Sequence, residues 1–284
     1  MNPKMLALYG LKYNPFSPEL PVEALYRTPK TDTFCWRIEQ ALVREGGFAL
    51  ITGDPGTGKS VVLRLLAERL SGIGDITIGT LTRPGSNQAD FYREMGDLFG
   101  VELRPHNRWG GFKLLRERWI THLEGTLLRP VLLIDEAQEM QPSVLNELRL
   151  LSSLQFDSKI LLTVVFAGDA RFTAKLRRDD LLPLGSRIRT RLILETASRD
   201  ELLACLKHLQ TQAGNASLMT PELVKTLCDH ALGNYRVLAT MASELLAAAA
   251  QQDLPQLDEK LFLNVFAAYP ATPSKRSESA LNLQ

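Results

Sequence analysis

The chain has 284 residues, 45% hydrophobic and 23% charged, with three cysteines. At about 100–200 residues per domain this length predicts one large domain or two modest ones, and the composition excludes a wholly disordered chain, a collagen-like repeat and a disulfide scaffold. The 33 Lys+Arg against 32 Asp+Glu leave a formal charge of +1, so the total does not advertise nucleic acid and only local clusters could.

Cys35, Cys205 and Cys228 lie far apart and form no CxxC pair, which predicts buried apolar thiols. The longest apolar runs, Ile160–Ala167 and Leu261–Tyr269, fall short of the ~18–20 residues of a bilayer span. Met1–Phe16 shows no basic region, apolar core and small-residue cleavage site, so no secretion signal is read. A cytoplasmic protein without a membrane partner is expected.

In chain order, residues 1–45 read as a proline-bearing leader and linker helix packed on the core. Its helical stretch runs from Lys30 to Arg44, with Phe34, Ile38 and Leu42 at four-residue spacing. A short apolar strand, Phe48–Thr52, leads into a glycine-rich turn and the helix Ser60–Leu70. Ile76–Leu81, Val131–Ile134 and Ile160–Ala167 are continuous apolar runs, as expected of parallel strands covered on both faces. After Leu192–Glu195 the pattern is helical only. It opens at Ser198 with Glu201 three residues on, the spacing of a capping box, so a boundary near residue 196 follows. Thr220-Pro221-Glu222 starts another helix and Gly233 stops it. Tyr235–Gln251 and Asp258–Tyr269 supply two more. Four segments result: leader 1–45, an αβα core 46–195, a helical lid 196–270 and a flexible tail 271–284.

Gly53, Asp54, Pro55, Gly56, Thr57, Gly58, Lys59 and Ser60 fit GxxxxGK[ST] between a strand and a helix, and Val61 follows them. The glycines let backbone N–H groups curl around a polyphosphate, Lys59 reaches the β and γ phosphates, and Ser60 offers a hydroxyl to Mg²⁺. Val131–Ile134 ends in Asp135 and Glu136. Asp135 is expected to hold Mg²⁺, and Glu136 to orient or deprotonate the attacking water. The expected cofactors are therefore ATP and Mg²⁺.

Ile160–Ala167 ends in Gly168-Asp169, which places Asp169 as a candidate γ-phosphate sensor or a plain loop acid. A carboxylate there is repelled by phosphate unless Mg²⁺ or an arginine intervenes. Arg187, before the last strand, is the candidate trans-acting arginine finger; Arg189 and Arg191 compete for the role, and surface or DNA-facing charge is the alternative. Arg236, in Gly233-Asn-Tyr-Arg236, is expected to reach back to the γ-phosphate from the lid, or else to be a solvated helix-start arginine. Five basic residues against one acid lie in 104–118, and seven against two in 171–191. Arg83, Arg104, Arg108 and Lys113 are the candidate contacts to the DNA backbone, weighed against solvated helix charges. Trp109 beside Arg108 hints at the same surface.

Taken in order, these motifs resemble the AAA+ ATPases over about Tyr9–Phe266. Three stretches are more specific: "YGLKYNPFSPE", "LLIDEAQEM" and "GNYRVLATMASELL" resemble the ExeA/TniB/TnsC branch. The resemblance implies an α/β fold, a P-loop AAA+ αβα core with a parallel sheet followed by a small all-α lid. It places Pro15, Phe16 and Tyr26 near the adenine, with packing roles as the alternative. It also implies an ATPase that assembles with ATP into a ring or filament on double-stranded DNA, and that recruits or activates a transposase, with a target-selection protein as a further partner. The alternative is a secretion-associated ExeA-like ATPase, or another protein-remodelling module that does not bind DNA. A non-hydrolysing nucleotide switch is a third reading, against which Glu136 stands.

Overall fold

The computed structural model describes residues 3–103, 107–155 and 158–266. Five strands form the sheet: β1 (Gly47–Gly53), β2 (Ile78–Leu81), β3 (Val131–Ile134), β4 (Thr163–Gly168) and β5 (Ile188–Leu194). All pair in parallel, in the spatial order β2-β3-β4-β1-β5.

Alternation along each strand divides the core into two layers. Phe48 and Leu50 of β1, Leu132 and Ile134 of β3, and Val164 and Phe166 of β4 face a cluster with Phe91, Met95, Trp119 and Leu148. Ala49 and Ile51, Val131 and Leu133, and Val165 and Ala167 face the other way, against Phe34, Ile38, Leu42, Val62, Leu66 and Leu70. Every residue of β3 and β4 is buried, which accounts for their unbroken apolar sequence. Truncating a fully buried member such as Leu66 to Ala would cost about 2–5 kcal/mol.

The linker helix runs over Pro29–Arg37, capped by the Thr28 hydroxyl, and continues through a π turn at Ile38–Leu42 and a last turn at Val43–Glu45. Two strands differ from the expected ones. β2 begins at Ile78 rather than Ile76. In the run expected over Ile160–Ala167, Lys159–Ile160 instead pair antiparallel with Ser153–Leu154, and β4 starts at Thr163. Continuous apolarity marks burial; it does not mark where one ladder ends and another begins.

Beyond Leu194 every described element is helical: Arg199–Ala213, Pro221–Ala231, Tyr235–Gln251 and Glu259–Phe266. Ser198 and Glu201 form the expected capping box, and Thr220 caps the second helix. The start of the chain departs from its expected place on the αβα core. Met5, Tyr9, Leu11 and Phe16 pack with Leu206, Leu223, Leu227, Leu245 and their neighbours in the helical cluster, and Lys12 N–H donates to Ala213 O at 2.9 Å. The apolar face of Pro3–Tyr9 finds its partner more than 190 residues away in sequence. The tail 271–284 and Arg104 lie outside the described residues.

The three cysteines are buried and free. Burial pushes the thiols of Cys35 and Cys228 up to about 11 and that of Cys205 to about 12. No helix among the described residues is long and apolar enough to cross a membrane.

Candidate functional site

Because β1 is an inner, parallel strand between β4 and β5, its C-terminal end delivers the phosphate loop to one edge of the sheet, where the helix Lys59–Ser71 begins. The loop is shaped by Thr57, whose amide and hydroxyl both donate to Asp54 O, at 3.3 and 2.8 Å. Lys59 is 7% exposed, and its ammonium donates to Gly53 O and Asp54 O at 2.8 and 3.1 Å. Gly58 has φ +101°, a backbone that favours glycine, and open space where a Cβ would stand. A buried cation, a helix N-terminus and this clearance fit a polyphosphate.

β3 carries Asp135 and Glu136 to the same edge. Asp135 Oδ1 accepts from Glu136 N–H at 2.9 Å, and Glu136 takes φ +50°, a left-handed conformation that turns its exposed carboxylate away from the strand direction. Ser60 and Asp135 offer a hydroxyl and a carboxylate, the hard oxygen donors that suit Mg²⁺ when phosphate and water complete the shell. Among the described residues no group of three or more His, Cys, Asp or Glu converges.

At the end of β4, Asp169 caps the helix Ala170–Lys175 through Arg171 N–H at 2.8 Å, and Arg171 Nε returns to Asp169 Oδ2 at 2.8 Å. Burial pushes the Asp169 carboxyl up, but the Arg171 hydrogen bonds and charge, with the Phe172 amide, outweigh it and hold it below the usual range. The arginine that would have to intervene beside a carboxylate at this position is thus Arg171, which also pairs with Glu139 at 3.2 Å. Gln138, 6% exposed, bridges the Glu136 carboxylate and the Asp169 backbone amide: its Nε2 donates to Glu136 Oε2 and its Oε1 accepts from Asp169 N–H.

The helical domain closes the far side. Asn234 caps the helix Tyr235–Gln251 and donates to Pro55 O at 3.0 Å, while Tyr235 N–H donates to Gly56 O at 3.1 Å. A cavity of about 880 Å³ results, whose lining includes Pro55–Val61, Glu136, Asp169, Arg171 and Arg236. Phe16, Leu20, Leu25, Tyr26, Leu209 and Tyr235 give the same cavity an apolar and aromatic lining, and burial raises the Tyr26 and Tyr235 hydroxyls. Of the residues expected near an adenine, Phe16 and Tyr26 line this cavity and Pro15 is not among its lining.

Residues 42–176 match the model of an AAA domain. General secretion pathway protein A of Aeromonas hydrophila is 32% identical over 245 residues, covering 85% of this chain and 44% of that protein; the chain spans less than half the length of this relative. The Aeropyrum pernix ORC2 protein, in ADPNP-ADP complexes, superposes with a TM-score of 0.71 at 14% identity, over 90% of this chain and 72% of that one. Drosophila ORC bound to DNA gives 0.70 at 15%, over 93% and 65%. The fold is the P-loop AAA+ fold.

Within the AAA+ fold, Arg187 occupies the opposite end of the sheet from its own phosphate loop. The register Phe48↔Ile188 through Gly53↔Leu194 separates it from that loop by most of β5, about 20 Å at ~3.3 Å per residue. Arg187 is half-buried and does not line the cavity. Arg189 pairs with Glu45 at 3.2 Å, and Arg191 donates to Gly185 O at 3.2 Å.

Of the candidate DNA contacts, Arg108 and Lys113 share the helix Arg108–Thr126. Arg83 is exposed on the loop after β2, and Lys113 is exposed with Glu117 3.8 Å away. Arg108 is engaged by the buried Glu147, which also accepts from Tyr92 O–H at 2.5 Å. It neutralises an interior carboxylate and so adds less free charge than the sequence suggests. Trp109 is 74% exposed and stacks on Phe112 at 5.8 Å, at the rim of a second groove that shares no lining residue with the AAA+ cavity. Sequence reasoning passed over Gln138, which stands inside "LLIDEAQEM", and counted Arg171 only as part of a basic cluster.

Proposed function

We propose that the chain hydrolyses ATP with Mg²⁺, assembles with ATP into a ring or filament on double-stranded DNA, and there recruits or activates a transposase together with a target-selection protein. The observation that carries the hydrolytic part is the convergence of the phosphate loop, Glu136, Asp169 and Arg236 on one cavity that is also lined by apolar and aromatic side chains.

In this reading Lys59 and the loop amides bind the triphosphate, and the apolar lining takes the base. Ser60 and Asp135 would hold Mg²⁺, which when bound neutralises charge building on the phosphate oxygens. Glu136 accepts a proton as a water oxygen bonds to the γ-phosphorus and the bond from that phosphorus to the bridging oxygen breaks, leaving ADP and phosphate. Asp169, with its charge balanced by Arg171, senses the γ-phosphate from the adjacent strand, and Arg236 carries the phosphate state to the lid. Arg187, remote from its own cavity, acts on a neighbouring subunit's nucleotide.

The DNA part is supported by exposed Arg83 and Lys113, and by the likeness of fold to ORC bound to DNA. Contacts of this kind follow the phosphate backbone and weaken with salt. A second reading, a protein-remodelling ATPase of secretion type without DNA, is favoured by the 32% identity to General secretion pathway protein A.

The deciding experiment is electron microscopy of the purified chain with a slowly hydrolysed ATP analogue, with and without duplex DNA, at two salt concentrations. DNA-dependent rings or filaments that weaken with salt support the first reading; nucleotide-dependent oligomers indifferent to DNA support the second.

A further inference from the structure

Gln138 is almost wholly buried, yet neither its amide nitrogen nor its amide oxygen is idle. Asp169 N–H can only donate, so the atom facing it at 3.2 Å must be Oε1. The NH₂ then faces Glu136 Oε2 and donates to it. The orientation of the amide is therefore set by a backbone group of one strand end and used on a carboxylate of the next.

The surroundings fix this bridge from three sides. Lys175 Nζ donates to Gln138 O and Met140 O at 2.5 and 2.8 Å, clamping the turn after β3 to the helix after β4. Gly168 admits the amide: a Cβ there would stand 3.0 Å from both Gln138 Oε1 and Phe172 Cβ. Glu136 itself holds a left-handed backbone, φ +50°, a conformation that persists in a non-glycine residue only where the surroundings impose it.

We propose that Gln138 is a positioning residue that holds one oxygen of the Glu136 carboxylate, leaves the other toward the cavity, and ties its direction to the end of β4 where Asp169 stands. The inference rests on the hydrolytic reading above, in which Glu136 takes the proton from water. A glutamine is suited to the task because it donates and accepts at once without adding charge beside two carboxylates. With the bridge removed, Glu136 turns freely, and a misplacement on the order of 1 Å costs a hydrolytic step about 100-fold.

The test uses the full chain and two variants, Q138M, which keeps the length but loses both hydrogen bonds, and Q138E, which can still accept from Asp169 N–H but sets a second carboxyl against Glu136 in place of the neutral NH₂ donor. Both are expected to lower kcat about 10- to 100-fold while nucleotide binding, read by a fluorescent ATP analogue, stays as in the wild type. In an E136A background, which has no carboxylate to hold, Q138M is expected to cost nothing further. Equal losses from Q138M with and without Glu136, or full activity of Q138E, would overturn the proposal. So would a loss of nucleotide binding in step with thermal stability, the mark of a merely structural role. If the wild type turns over ATP no faster than E136A, the hydrolytic reading falls first and the positioning role falls with it, whereas a Glu136-dependent wild type with an undiminished Q138E removes the positioning role alone.

Discussion

The side-chain amide of Asn234 donates to the carbonyl of Pro55 at 3.0 Å, while its oxygen accepts from Arg236 N–H and Val237 N–H at 3.0 and 3.2 Å. One residue thus caps the helix that carries Arg236 and fastens that helix to the phosphate loop. Two substitutions separate the tasks. Asn234→Ala removes both and is expected to lower stability by about 1 kcal/mol, the usual cost of a lost N-cap. Asn234→Ser keeps a capping oxygen but is too short to reach Pro55. It is expected to leave the urea midpoint near wild type while hydrogen exchange quickens over residues 54–58 and 235–240; unchanged exchange in both variants would show that the loop and the helical domain hold together without this contact.

Lys59 and Glu136 are expected to divide binding from turnover. The Lys59 ammonium sits against two loop carbonyls and, among the described residues, has no carboxylate as partner, so its charge is available to phosphate. Lys59→Ala is expected to abolish the rise in Tm that ATP gives the wild type. Glu136→Gln is expected to keep that rise while turnover falls at least ~100-fold, trapping any DNA-bound oligomer. Fast turnover in Glu136→Gln would remove the carboxylate from its assigned role.

Asp169 makes stability depend on pH in a defined direction. Its folded carboxyl lies below the ordinary value of 3.8, held there against burial by Arg171 and the Phe172 amide. The stabilisation is therefore fully present above pH 3.8 and is lost as pH falls through the lower folded value. Asn also caps helices well, so Asp169→Asn isolates the charge. The gap in urea midpoint between wild type and this variant is expected to hold from neutral pH to about pH 5 and to close in more acid solution; a gap that persists at acid pH would assign it to something other than this titration.

The phosphate loop and the β3 carboxylates were legible because their chemistry is local: glycines, a lysine and a serine at fixed spacing, and an apolar strand ending in two acids. The spatial order β2-β3-β4-β1-β5 was not, since parallel neighbours are brought together by crossovers rather than by adjacent sequence. The same distance in sequence hid Glu147, which lies 39 residues from the Arg108 it engages, so that a guanidinium bound to a buried acid read as a free surface charge. Pro3–Tyr9 is too short to announce which cluster its apolar side meets. Gln138 escaped because a glutamine two residues past a catalytic-looking acid has no spacing rule; only the approach of Asp169 N–H gives it a function.

Arg187 can be assigned to a neighbour's cavity by mixing variants. The β1–β5 register keeps it at the far end of the sheet from its own phosphate loop, so in an oligomer a complete site would take the loop from one subunit and the arginine from the next. Arg187→Ala and Lys59→Ala are each expected to be inactive alone, the first while still binding ATP. Mixed, they form junctions where an intact phosphate loop from the Arg187→Ala subunit meets an intact Arg187 from the Lys59→Ala subunit, so activity is expected to return to about a quarter of wild type at equal mixing if subunits exchange freely and each junction acts alone. Arg189→Ala and Arg191→Ala, whose guanidinium groups are engaged by Glu45 and by Gly185 O, are expected to keep turnover near wild type. Activity in Arg187→Ala alone, or no recovery on mixing when microscopy shows mixed oligomers, would take the finger role away from Arg187.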